Sequence, residues 1–182
     1  MPAAPSASVF INCPFDKQYQ PIFDAIVFCV VACGFEPRCT LELTDAGEVR
    51  IENIYRLIAQ CNHSIHDISR TEVEDQPYRL PRFNMPLELG IFLGAKRFGG
   101  RSSRKRCLIM DRAPYRYKRF ISDIGGQDIK AHYTRPVKRN STCARLASIR
   151  TGESRHSRRD EDLAGLPAIP QRAASHRRRG SA

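Results

Sequence analysis

Hydrophobic residues recur along the chain in two alternating patterns separated by polar loops. Short, mostly apolar runs predict buried strands, and longer segments with apolar residues every three or four positions predict helices. A glycine, Gly34, follows the first helical segment, as is common at a helix end. The predicted strands are residues 9–13, 35–41, 64–69, 106–111 and 128–132, and the predicted helices are residues 19–33, 50–60, 84–95 and 117–124.

This alternation of strand and helix predicts an α/β fold. Helical crossovers between short buried strands imply a doubly wound, flavodoxin- or Rossmann-like parallel sheet of about five strands. Ligands of such sheets bind at the carboxyl ends of the strands, where the strand order reverses. The functional residues are therefore expected in the loops that follow the first, third and fourth predicted strands.

The predicted helix after residue 84 contains a single acidic residue, Glu88, among mostly apolar neighbours. A carboxylate on a buried helix must be desolvated, paired or directed into a cleft, which makes it a candidate for nucleophilic or acid/base chemistry. The alternative is that Glu88 lies in the first turn and only interacts favourably with the helix dipole.

The loop after the first strand contains Asn12, Phe15 and Asp16. It lacks the glycine pattern of a dinucleotide-binding turn and the Gly-Lys-Ser/Thr of a phosphate loop, which argues against a redox Rossmann enzyme and a nucleoside triphosphatase. Phe15 is suited to stacking on a base, and Asp16 to holding a sugar hydroxyl. Alternatively, Asp16 caps the next helix.

Asp67 ends the third predicted strand, where this architecture places ligand-binding residues. A turn-making role is the alternative for both Asp67 and Ser69. His66 points to the opposite face and is interpreted as a core residue. Asn84 is the expected N-cap of the Glu88 helix and a further candidate for substrate binding.

The strand ending Asn12-Cys13-Pro14-Phe15, the strand ending in Asp67 and the segment Asn84-x-x-x-Glu88-x-Gly90 resemble the nucleoside 2-deoxyribosyltransferase-like fold, which is close to bacterial TIR domains. The resemblance covers residues 8–132. It implies that Glu88 is the catalytic residue, and that Asn12, Phe15, Asp16, Asp67, Ser69 and Asn84 bind the substrate.

The activity implied by this resemblance is cleavage or transfer at the N-glycosidic bond of a nucleotide or nucleoside, with NAD hydrolysis favoured. It requires no cofactor and no metal, because one desolvated carboxylate can stabilise the oxocarbenium character that develops. The alternative is a non-catalytic TIR-like module that senses a nucleotide or assembles with like chains. A role in antiphage defence is implied only by the TIR resemblance.

Cysteine usage and the absence of export signals predict a cytoplasmic protein without membrane insertion. The seven cysteines include no CxxC pair, and several lie in apolar segments, as reduced core thiols do. The N-terminus lacks a signal-peptide pattern, and the longest apolar run is too short to span a bilayer.

Composition changes abruptly near residue 133. All 15 Phe and Tyr residues precede residue 134, whereas residues 134–182 contain 12 Lys and Arg against 4 Asp and Glu. We therefore predict one domain over residues 8–132 and a basic, disordered tail over residues 133–182. Phosphate contacts by the tail to nucleic acid are a less favoured interpretation. The break also resembles a shifted reading frame, in which case a further helix of the domain would be missing.

Overall fold

The computed structural model describes residues 7–42, 47–71, 81–100 and 104–133. Over these residues five strands and three α-helices alternate along the chain, which confirms the predicted α/β class. They are β1 (Ser8–Asn12), α1 (Gln20–Ala32), β2 (Glu36–Arg38), α2 (Arg50–Gln60), β3 (His63–Asp67), α3 (Asn84–Phe98), β4 (Arg106–Asp111) and β5 (Ile129–Ala131).

The strands form one parallel sheet in the order β2-β1-β3-β4-β5. In the register of the two central strands, Asn12 of β1 lies opposite His66 of β3. The chain leaves β1 toward one edge of the sheet, to β2, and returns to continue toward the other edge from β3. The carboxyl ends of β1 and β3 therefore flank the topological switch point, where sheets of this type bind ligands.

Alternating side chains of the central strands pack against helices on both faces of the sheet. On one face α1 covers Val9, Ile11 and Ile65, with Ile22, Ile26 and Val30 as its buried contacts. On the other face Phe10 packs with α2 and α3, through Ile54, Leu57, Ile58 and Phe92. Side chains of β1 with even numbers therefore point toward α3, and this parity decides which polar groups can meet Glu88.

Strand β2 is shorter than predicted: it spans Glu36–Arg38, and a 3-10 turn occupies Thr40–Glu42. Pro37 explains its position at the edge of the sheet, because proline has no N–H with which to pair on both sides. Strand β5 is likewise confined to Ile129–Ala131.

The helix predicted over residues 117–124 is wrong. The segment forms two 3-10 turns, Arg116–Arg119 and Ser122–Ile124, separated by residues with extended φ angles, −137° at Phe120 and −151° at Ile121. Across this break, Tyr117 and Ile124 are both buried and pack in one cluster with Ile109 of β4.

Among the helices in the described part of the chain, none combines the length and apolar character needed to cross a membrane. Residues 134–182 of the predicted tail, with Cys143 among them, lie outside the described part of the chain.

Candidate functional site

A cleft of about 300 Å³ opens at the switch point between β1 and β3. The loop after β1, the turn after β2 and the first turns of α2 and α3 form its walls. The lining residues are Asn12, Cys13, Pro14, Phe15, Asp16, Thr40, Leu41, Arg50, Arg70, Arg82, Asn84, Met85 and Glu88. Five of the seven predicted site residues are therefore brought together here, namely Asn12, Phe15, Asp16, Asn84 and Glu88.

Glu88 is the buried acid of this cleft. Its side chain belongs to α3 and is only 4% exposed, yet no hydrogen bond joins its carboxylate to any described residue. Burial raises its pKa from 4.5 to about 7, and the positive charge of Arg50 opposes the rise. A carboxylate without partners is costly to bury, so its place in a cleft favours a role toward a ligand.

The helix-dipole explanation of Glu88 is weakened by where α3 begins. The helix starts at Asn84 with Phe83 as its cap, so Glu88 is the fifth helical residue and the first turn contains no acid. The prediction that Asn84 is the N-cap is wrong for the same reason, since Asn84 is the first residue of the helix and Phe83 occupies the cap position. Asn84 is an exposed first-turn residue at the rim of the cleft.

Asn12 fixes the start of α3 against the sheet. From the carboxyl end of β1 its amide nitrogen donates to the carbonyl oxygen of Met85, at 3.0 Å, and lies 3.0 Å from Nδ1 of His66. The side-chain oxygen of Asn12 accepts no hydrogen bond from the described residues. Asn12 therefore positions the helix that holds Glu88, and its oxygen remains available to a ligand.

Asp16 links the chain just before α1 to one of the arginines of the cleft. Its Oδ1 accepts the backbone N–H of Tyr19 at 2.9 Å, just before α1, and also forms an ion pair with Arg70 at 2.8 Å. Phe15 is half-buried and packs edge-on against Phe23, with ring centroids 5.5 Å apart. One face of a supported aromatic ring is suited to a planar ligand.

Asp67 and Ser69 do not line the cleft. Asp67 is fully buried on the α1 side of the sheet, where its Oδ2 accepts the Tyr19 hydroxyl at 2.5 Å and lies 3.1 Å from Nε2 of His132. Its Oδ1 accepts the backbone N–H of Ser69 at 2.8 Å. Both carboxylate oxygens are thus engaged in ordering the ends of β3 and β5, as the turn-making alternative for Asp67 describes.

Comparisons with protein-family models, with curated proteins and with solved structures return no match for this chain. The function therefore has to be inferred from the cleft itself.

Sequence reasoning missed the three arginines of the cleft, Arg50, Arg70 and Arg82. Arg50 is the first residue of α2 and Arg70 follows β3, so both belong to connections at the carboxyl rim. The topological rule that selected Asp67 would have selected them as well. Arginines in polar loops are common, however, and the sequence alone does not distinguish one that lines a cleft from one that is solvated.

The described residues contain no group of three or more His, Cys, Asp and Glu side chains arranged to hold a metal ion.

Proposed function

We propose that this protein cleaves, or transfers the sugar across, the N-glycosidic bond of a nucleotide or nucleoside, with Glu88 as its catalytic residue and NAD hydrolysis as the favoured reaction. The observation that carries the proposal is a buried carboxylate that has no hydrogen bond to any described residue and lines a cleft at the switch point of a parallel sheet. The resemblance of residues 8–132 to nucleoside deoxyribosyltransferase-like and bacterial TIR domains supports it.

In the proposed reaction the carboxylate of Glu88 has to stabilise positive charge on the sugar. As the bond from C1′ to the base nitrogen breaks, the electron pair leaves with the base, and positive charge develops on the ribosyl ring. An ionised Glu88 stabilises that charge electrostatically or forms an ester with C1′, and water or a second base then takes its place. In a desolvated cleft this attraction is stronger than in water.

In this proposal the other cleft residues bind different parts of the substrate. Phe15 stacks on the base, while Asp16 and the side-chain oxygen of Asn12 accept hydrogen bonds from sugar hydroxyls. Asn84 contacts the ligand at the rim. Asp67 acts through Tyr19 and Ser69, by ordering the loops, rather than by touching the ligand.

The test is an assay of the full chain with NAD and with a panel of ribo- and deoxyribonucleosides, in which released nicotinamide or free base is measured. Glu88→Gln keeps the shape of the side chain but removes its negative charge, and is expected to abolish release. Glu52→Gln, an exposed acid-to-amide change on α2, is the matched control and is expected to be fully active.

Release that persists in Glu88→Gln contradicts the assignment of the catalytic residue. The absence of release from folded wild-type protein that still binds nucleotides would instead favour the second candidate, a TIR-like module that senses a nucleotide. That candidate is favoured by the charge of the cleft, since its described lining contains three arginines and two acids.

A further inference from the structure

The arginines of the cleft lie on three different connections that meet at the carboxyl rim. Arg50 opens α2, Arg70 follows β3, and Arg82 directly precedes Phe83, the cap of α3. The chain supplies all three to one cleft, whose lining by described residues includes two acids, Asp16 and Glu88. This surplus of positive charge is a property that the cleavage chemistry of Glu88 does not require.

Most N–H groups of the Arg50 guanidinium donate to no described residue. Its one hydrogen bond to a described residue runs from Nη2 to the hydroxyl of Thr40, at 3.3 Å, and no carboxylate lies within ion-pair distance of it in the described part of the chain. Arg50 also extends from the first turn of an 11-residue helix whose N-terminus is capped by no side chain of the described residues. The partial positive charge of that helix end adds to the charge of the guanidinium.

Arg70 is only partly engaged. Its Nη2 donates to Asp16 at 2.8 Å and to Gln18 at 3.2 Å. Its Nε and Nη1 donate to no described residue. The side chains of Arg70 and Asp16 are each about 40% exposed, so a ligand can reach them. A planar guanidinium held by a carboxylate presents its remaining N–H groups in a fixed direction, which suits bidentate contact with phosphate oxygens.

From these contacts we infer that Arg50 and Arg70, together with Arg82, form a phosphate subsite beside Glu88, and that the ligand of this cleft is a 5′-phosphorylated nucleoside rather than a free nucleoside. The inference deepens the proposed function, because it names the substrate class of the same cleft. It also rests on binding alone, so it can be tested whether or not bond cleavage occurs.

The experiment is isothermal titration of the full chain with two matched pairs, AMP against adenosine and nicotinamide mononucleotide against nicotinamide riboside. Each pair differs by one phosphate. The phosphorylated member is expected to bind at least about tenfold more tightly, as one or two charge-assisted hydrogen bonds predict. The advantage is expected to shrink as salt is raised, because the guanidinium groups are partly exposed. Titrations of the riboside and its nucleotide use Glu88→Gln, so that neither is consumed.

Arg50→Gln is expected to remove most of the phosphate advantage without weakening the nucleoside. Arg97→Gln is the matched control, because Arg97 is an exposed arginine in the last turn of α3, at the end of the helix opposite the cleft. The control is expected to bind both members of each pair as the wild type does. Inorganic phosphate alone is expected to compete with AMP, at millimolar concentrations, in the wild type.

Equal affinity for AMP and adenosine overturns the inference, and so does a phosphate advantage that Arg50→Gln leaves intact. The two proposals fail separately. Nucleotide binding without base release contradicts the catalytic role of Glu88 but supports the phosphate subsite. Release of base from free nucleosides, at rates equal to those of their nucleotides, supports the catalytic role and contradicts the phosphate subsite.

Discussion

The side-chain amide of Asn12 donates to the carbonyl oxygen of Met85, three residues before Glu88 in the same helix. A carbonyl oxygen only accepts, so the amide nitrogen must face it, and the second amide hydrogen then points to Nδ1 of His66. His66 must accept there and is therefore neutral, in agreement with burial, which lowers its pKa to about 3. One side chain thus ties β1, β3 and α3 together beneath the catalytic candidate.

We expect Asn12→Ala to lower the free energy of unfolding by about 1–3 kcal/mol, because it leaves the buried Nδ1 of His66 without this donor and removes the bond that joins β1 to the Met85 carbonyl. It should also weaken nucleotide binding and any base release, since the first turn of α3 is no longer held against β1. Urea unfolding, followed by nucleotide titration of the folded variant, measures both effects.

Asn62→Ala serves as the control, because Asn62 is a partly exposed asparagine whose side chain has no hydrogen bond to a described residue. It should change neither quantity measurably. If Asn12→Ala were destabilised but bound nucleotide and released base like the wild type, Asn12 would be structural and its link to Glu88 would be of no consequence for the ligand.

The sequence predicted the parallel sheet and the burial of Glu88 on a helix. It did not predict which face of the sheet each polar residue would occupy. Strand and helix periods are local, so β1, β3 and β4 could be placed within a residue or two. The side of the sheet on which a polar residue at the end of a strand points depends on register. Asn12 and Asp67 both end strands, yet Asn12 faces α3 and the cleft, while Asp67 faces α1 and His132. The hydrogen bond from Asn12 to Met85 spans 73 residues, a separation that no local pattern reports.

The stability of the protein should depend on pH through Glu88. Burial raises its pKa from 4.5 to about 7, so the folded state favours the protonated form. The sign follows: the folded state is least penalised below pH 4.5, loses stability as pH rises from 4.5 to 7, and changes no further above about 8. The full effect is at most about 3 kcal/mol.

Glu88→Gln removes this dependence, so the free energy of unfolding of the variant, relative to the wild type, should increase between pH 4.5 and 7 and then level off. Urea unfolding of both proteins at four pH values measures the difference, in which the contributions of all other titrating groups cancel. A difference that does not vary with pH would falsify the idea that Glu88 is desolvated.

The charge of Arg50 should be visible in the pH profile of any base release. Release requires the ionised carboxylate, so it should rise as pH increases through the pKa of Glu88 and reach a plateau above it. Arg50 lowers that pKa, and Arg50→Gln should therefore move the rising limb to higher pH. Arg97→Gln should leave it in place. A limb that stays fixed in Arg50→Gln means that the two side chains do not interact, and a falling limb in the wild type means that the protonated acid is the active form.

The Tyr19–Asp67–His132 cluster should support stability without contacting the ligand. Tyr19→Phe removes the hydroxyl that donates to Asp67 and leaves the carboxylate with His132 and the N–H of Ser69. Because Tyr19 is nearly fully buried, we expect a loss of about 1–3 kcal/mol in the free energy of unfolding. Nucleotide affinity should be unchanged, since neither Tyr19 nor Asp67 lines the cleft.

Tyr55→Phe, which alters an exposed hydroxyl on α2, is the control and should change neither quantity. A fall in affinity for Tyr19→Phe alone, at temperatures where both variants are folded, would return Asp67 to the binding site, because it would show that the ligand senses the charge or position of that carboxylate.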